Sequence, residues 1–174
     1  MGKGLPHSLQ HSGLDKVKVQ TFVLNETIAI TGGAGVVDPG ESVITGSLPE
    51  GNLLILGAVA NVTVDGTDAD VLIDWAGDFG IGTVPNADAD LADAGEDDLI
   101  PSTALVADTG LKVTLVTRGV STQTEQSVIL DNTGSTLELN FNLLVDDNFI
   151  TDAAVGTFTV TGALYLALIV LGDD

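Results

Sequence analysis

Apolar and polar positions alternate along most of this chain, with the period of strands rather than helices. Lys16-Val17-Lys18-Val19-Gln20 switches at every residue, and Phe22 to Ile30 continues in β-type residues. A period of two places alternate side chains on opposite faces of a sheet. Ser42 to Ser47 reads as a short strand and Leu53 to Val64 as a long one, with a bulge expected at Gly57. Val71 to Trp75 and Phe79 to Thr83 read as strands flanking a Gly77-Asp78 turn, followed by Leu111 to Gly119 and Glu125 to Leu130. Turn chemistry stands at Gly32-Gly33-Ala34-Gly35, Asp38-Pro39-Gly40, Pro49-Glu50-Gly51, Asp65-Gly66 and Asp131-Asn132-Thr133-Gly134.

The two clearest strands come last. In Ser135 to Leu144, Leu137, Leu139, Phe141 and Leu143 face one way, and Glu138, Asn140 and Asn142 face the other, which predicts one wet face. In Gly156 to Leu171, Phe158, Val160, Leu164, Leu166, Leu168 and Val170 share one face. The opposite face starts polar (Thr157, Thr159, Thr161) and turns apolar (Ala163, Tyr165, Ala167, Ile169, Leu171), so the strand is expected to be covered on both sides towards its end. That cover is a subunit interface through Tyr165, Ala167, Ile169 and Leu171, the N-terminal segment, or the chain's own loops. About eight or nine strands, no convincing helix and no fixed repeat predict an all-β fold, a β-sandwich of jelly-roll-like type.

Two stretches depart from the pattern. Residues 1–20 are poor in large apolar side chains and carry Gly2, Gly4, Pro6, Ser8, Ser12 and Gly13, which reads as an extended N-terminal arm ahead of a sandwich domain at 21–174. Residues 84–110 open with Val84-Pro85-Asn86 and hold Asp88, Asp90, Asp93, Glu96, Asp97 and Asp98 interleaved with Ala, an expected loop longer than a hairpin connection.

Charge changes the picture in one respect. The 174 residues carry 25 acids against 5 Lys and Arg, a net −20. Lys3, Lys16 and Lys18 oppose Asp15 alone in the first twenty residues, a local +2, which leaves −22 on the rest. A basic arm carrying Lys3, His7, His11, Lys16 and Lys18 on an acidic body suits docking to an acidic partner. So acidic a body repels nucleic acid. It stays soluble by like charge, or suits water of high salt. No apolar leader follows Lys3, and the longest apolar run, Gly162 to Gly172, is about half of what a membrane-spanning helix needs, so no membrane partner is expected.

Candidate chemistry is sparse. With no Cys and two His, thiol catalysis and cysteine zinc sites are excluded, and a Ser-His-Asp triad would need an arm histidine. His7 and His11 have i, i+4 spacing but no third ligand nearby except Asp15. Asn86, Asp88 and Asp90 have the spacing of an EF-hand start, but Leu91 stands where that loop needs Gly and Asp97 where it needs Glu. Asp88, Asp90, Asp93 and Asp97 remain weak calcium candidates, and no metal or cofactor is expected. Of the aromatic residues, Trp75 and Phe79 are the pair that would form a platform for sugars if exposed together; core is the competing reading.

The runs Asp74-Trp75-Ala76-Gly77-Asp78-Phe79-Gly80-Ile81-Gly82-Thr83, Pro85-Asn86-Ala87-Asp88 and Asp98-Leu99-Ile100-Pro101-Ser102-Thr103-Ala104 form a recognisable set. With Leu139-Asn140-Phe141-Asn142-Leu143-Leu144-Val145-Asp146-Asp147 and the ending Leu171-Gly172-Asp173-Asp174, they resemble capsid decoration (cement) proteins of marine and aquatic tailed bacteriophages, over about residues 70–174. The resemblance rests on turns and strand patterns. It implies a jelly-roll-like sandwich, a homotrimer seated on the outer capsid surface of a virion, the major capsid protein as partner, and no active-site residues. The expected function is thus a non-enzymatic capsid decoration protein that stabilises the shell. The alternatives are a head-fibre or adhesion module binding glycan or calcium, and a jelly-roll capsid protein of a halophilic virus.

Overall fold

The computed structural model describes residues 17–66, 68–91, 93, 95–107, 112–119, 129–134 and 136–172. The strands are β1 (Lys18–Thr31), β2 (Asp38–Ile44), β3 (Gly51–Gly66), β4 (Ala76–Gly82), β5 (Ile100–Val106), β6 (Lys112–Gly119), β7 (Ile129–Asn132), β8 (Leu139–Val145) and β9 (Val155–Gly172). One sheet runs β1-β9-β3-β6, with the short β7 also pairing with β3, and the other runs β2-β8-β4-β5. All pairings are antiparallel. The nesting is that of one long hairpin rolled up: β1 pairs with β9, β2 with β8, β3 with β6 and β4 with β5. This is the jelly-roll arrangement, so the expected fold class holds.

The inner faces follow the alternation. Phe22, Leu24, Ile28 and Ile30 of β1, Phe158, Val160, Leu164 and Leu166 of β9, and Leu53, Ile55, Val62 and Val64 of β3 meet Phe79, Ile81, Phe141 and Leu143 of the other sheet. Phe79 stacks on Phe141 at 5.2 Å between ring centres, and Trp75 meets Phe158 edge-on at 5.1 Å. Offset-stacked and edge-to-face contacts are the favoured aromatic geometries. The expected bulge is present: the β3–β9 register shifts between Ile55 and Gly57, and again between Asn52 and Leu53.

Several local expectations are corrected. Asp38-Pro39-Gly40 is not a turn but the start of β2, paired with β8. An edge strand tolerates Pro because one row of its N–H groups has no partner strand. Gly40 is there because a Cβ would run into the Ile28 and Ile30 side chains of the facing sheet. Gly77-Asp78 likewise lies inside β4, where a Cβ on Gly77 would collide with the Leu144 carbonyl of β8. Val71 to Trp75 forms only an isolated bridge between Val71 and Ile150, and Asp74 turns the chain with φ 63°. Asp65-Gly66 ends β3 without making a hairpin, since the chain crosses to the other sheet before β4. Lys18 to Gln20, read as the end of the arm, already pair with Leu168 to Leu166 as the first residues of β1.

Every residue of β8 is buried, Asn140 and Asn142 included, which overturns the expected wet face. The connection between β4 and β5 is hydrogen-bonded over Asn142. Truncating Phe141 to Ala removes a ring from the Phe79 stack, and is expected to cost about 3–5 kcal/mol in urea denaturation.

Candidate functional site

The two sheets have different outer faces, and each holds one group of the sequence-predicted residues. On the second sheet, the acid-rich connection 83–99 is bound down by one side chain. Asn142 has no exposed surface. Its Oδ1 accepts the Asn86 N–H at 2.9 Å, and its Nδ2 donates to the carbonyls of Val84 at 2.9 Å and Glu96 at 2.7 Å. The Val84 N–H donates to the Gly95 carbonyl, closing the loop on itself, and the Leu99 N–H donates to Ile81 to rejoin the sheet. Gly82 admits this return, because a Cβ there would collide with the Gly95 carbonyl.

The loop's acids divide by role. Asp97 is buried and accepts the Ser102 N–H at 3.1 Å. Asp98 accepts the Thr83 N–H at 3.1 Å and the Thr83 hydroxyl at 2.9 Å. Asp88, Asp90 and Asp93 are exposed. The Asp88 N–H donates to Asn86 Oδ1, and the Asp90 N–H donates to Asp88 Oδ1, a pair of short side-chain turns. Among the described residues no three His, Asp or Glu side chains converge to hold a metal ion, and the four calcium candidates are therefore not brought together as they stand. Glu96, outside the calcium set, is buried as Asp97 is, and its Oε2 has no hydrogen-bond partner.

Burial decides the acid–base behaviour here. It pushes the Asp98 carboxyl up to about 6, against the Thr83 hydrogen bonds that favour the ionised form and with the Asp97 charge adding to the rise. Burial also raises Glu96, opposed by the Asp93 N–H and reinforced by the charges of Asp93, Asp88 and Asp90. Asp78 in β4 is raised by burial and then by Asp146. Asp38 in β2 is raised by burial, partly offset by the Gly33 N–H, and further by Asp147 and Asp152.

On the first sheet, the outward positions of β9 are open. Tyr165 and Leu171 are exposed, and Ala167 and Ile169 are half-buried. The two-sided cover expected for the end of this strand is not supplied by the described residues. The register sets Tyr165 beside Val59, Ala167 beside Val19, and Ile169 beside Leu54. Lys18 is exposed at the start of β1, while Lys3, His7, His11 and Lys16 lie outside the described residues. Trp75 and Phe79 have no exposed surface, so the sugar-platform reading of that pair is corrected: both serve the core. A polar hollow of about 440 Å³ beside Ser47, Glu50, Asn132 and Thr136 is wide open, and Asn132 is committed there to structure, donating to the Pro49 carbonyl at 2.8 Å and accepting the Leu137 N–H at 2.7 Å.

Two outcomes follow from the second sheet. Asn142→Ala strips partners from one buried N–H and two carbonyls, and is expected to lower stability by about 3–5 kcal/mol in denaturant titration. Asp98 is ionised above pH 6 in both folded and unfolded chains, so the cost of burying that charge is carried in full there. As the pH falls from 6 towards 3.8 the folded chain takes up the proton first, and stability rises by about 3 kcal/mol before levelling off. The melting temperature should therefore be higher at pH 5 than at pH 7.5. Asp98→Asn should remove most of that rise and stabilise the chain at pH 7.5.

No family model matches this chain, and no curated protein sequence matches it. Among solved structures, one of infectious bursal disease virus (Gx strain) aligns at TM-score 0.41 and 13% identity over 92% of this chain and 35% of that one. The 60-mer BFDV capsid protein aligns at TM-score 0.40 and 12% identity, over 91% and 96%. The family 11 carbohydrate-binding module of Clostridium thermocellum, solved with a β-1,3-1,4-mixed-linked tetrasaccharide, aligns at 0.32 and 12%, over 91% and 86%. This chain spans about a third of the length of the bursal disease virus chains. Likeness of this degree assigns no function to it.

Proposed function

We propose that the chain is a non-enzymatic structural protein of a virion, a decoration protein that binds the outside of a capsid shell and stabilises it. The observation that carries this reading is the first sheet's outer face. A body with 25 acids in 174 residues gathers Val19, Val23, Leu56, Ile129, Tyr165 and Leu171 there as exposed apolar residues, against Val43 and Val106 on the strands of the second sheet. Such a surface is suited to being held by other folded proteins. The sequence runs that resemble phage decoration proteins point the same way. The major capsid protein is the partner, and residues 1–20, with Lys3, His7, His11, Lys16 and Lys18, are the docking arm of the reading. Self-association belongs to it, and the resemblance implies a trimer.

A second reading, a shell-forming capsid protein of a halophilic virus, is favoured by the jelly-roll strand order together with the acid excess.

Sedimentation separates them. A decoration protein sediments with preformed shells of its virus and leaves a protein-free buffer as a small oligomer. Reversing Lys3 and Lys16 to Glu is expected to weaken shell binding about tenfold or more, the loss of two charge contacts, without changing the melting temperature. Shell binding undiminished by that change refutes the arm's role. Shells formed by this protein alone at high salt would favour the second reading.

A further inference from the structure

The outer face of the first sheet divides into two halves along its strands. At one end the paired positions are polar: Asn25 with Thr161, Thr27 with Thr159, Thr63 with Thr161. From Val23 to the other end they are mostly apolar, interrupted by Thr21 beside Tyr165 and Asn61 beside Ala163. Val23 stands beside Ala163, Val19 beside Ala167, and Tyr165 beside Val59. Ile169 stands beside Leu54, and Leu54 beside Ile129 of β7. Val19 and Val23 are about two-thirds exposed, at 67% and 68%, and Leu56, Ile129, Tyr165 and Leu171 are exposed as well. No carboxylate occupies these outward positions; Asp131, at the far end of β7, marks the rim.

We propose that this apolar half-face is the docking site for a second copy of the same chain, joined face to face about a two-fold axis. Three observations select that occupant. The first is charge: a body this acidic repels its own copy, and this half-face is where two copies meet without carboxylates opposed. The second is area. At strand spacing and rise, β9 and β3 from Ala163 to Leu171, with β1 alongside as far as Leu168 and β7 alongside at the far end, cover about 400 Å² on each copy and about 800 Å² together, the size of a weak, concentration-dependent pair.

The third is shape. Along β9 the outward side chains alternate small and large: Ala163, Tyr165, Ala167, Ile169. Gly57 adds a further gap beside Ala167. A two-fold pairing brings the large side chains of one copy over the small ones of the other, as facing sheets interdigitate in a sandwich. A ring of three would set this flat face against a different surface of its neighbour. The pairing does not depend on the shell-binding reading, and it departs from the trimer that the sequence resemblance implies.

Sedimentation equilibrium and light scattering of the full chain test it, from micromolar to sub-millimolar concentration and at low and high NaCl. The expected result is a dimer, twice the 17.7 kDa chain mass, that tightens as salt screens the bodies. Tyr165→Glu and Val23→Glu should each weaken it about tenfold or more, whereas Thr27→Glu on the polar half leaves it unchanged. Val23 is two-thirds exposed, so its variant keeps the test open should the Tyr165 change disturb folding; circular dichroism melting checks both. A monomer under all conditions, a trimer, or a dimer indifferent to both Glu variants would overturn the proposal. Dimers that fail to bind shells refute the shell-binding reading and leave this one standing.

Discussion

Asn142 is the contact on which the covering of the second sheet depends. Seen along β8 it is an outward residue on a strand that would otherwise face water, yet it has no exposed surface. One amide supplies both donors and the acceptor that the Val84–Asn86 and Glu96 backbone requires, and no apolar side chain could do so. A loop laid over a sheet carries its own polar backbone into a dry place, which is costly unless each group finds a partner. With Asn142 in place, the chain from 83 to 99 can close over the sheet. Glu96, Asp97 and Asp98 are then enclosed with it while Asp88, Asp90 and Asp93 stay exposed, and burial is why Asp98 and Glu96 hold their protons more tightly than free carboxyls do.

Alternation of apolar and polar residues made most of the strands legible before any coordinates, because a period of two leaves few other conformations for Phe22–Ile30 or Gly156–Leu171. The long loop was legible from Val84-Pro85-Asn86 and the acids after it. The failures have a common physical source. Asn140 and Asn142 look like solvent-facing residues because a sequence shows polarity and not what covers it, and the partners of Asn142 lie 46 to 58 residues away. Asp38-Pro39-Gly40 and Gly77-Asp78 carry turn chemistry, but close approach of another strand also selects glycine, and only the packed structure distinguishes the two causes.

The candidate site was half legible. The switch from Thr157, Thr159 and Thr161 to Tyr165, Ala167, Ile169 and Leu171 on one face of the last strand located the apolar region correctly. It could not show that Val19, Val23, Leu54 and Ile129 extend that region across neighbouring strands, since that depends on register. The calcium set was read from spacing alone. Spacing gave Asp97 the same standing as Asp88 and Asp90, whereas the fold commits Asp97 to the Ser102 N–H and buries it.

The two outer faces put two different properties on opposite sides of one core. Among the described residues the four carboxyls raised above their ordinary range, Asp38, Asp78, Glu96 and Asp98, all belong to the second sheet or its loop. The uncovered apolar positions around Val19, Val23, Tyr165 and Leu171 belong to the first. Facing sheets stand about 10 Å apart, with Phe79, Phe141 and Phe158 filling the space between. Residues separated by that distance, with no shared partner, act on stability nearly independently. Proton uptake at Asp98 therefore changes how firmly the body holds its own loop and leaves the surface offered to other proteins unaltered. The acid-rich sequence is thus two arrangements on one jelly roll: charge turned inward under a loop on one side, and charge kept away from an open apolar face on the other.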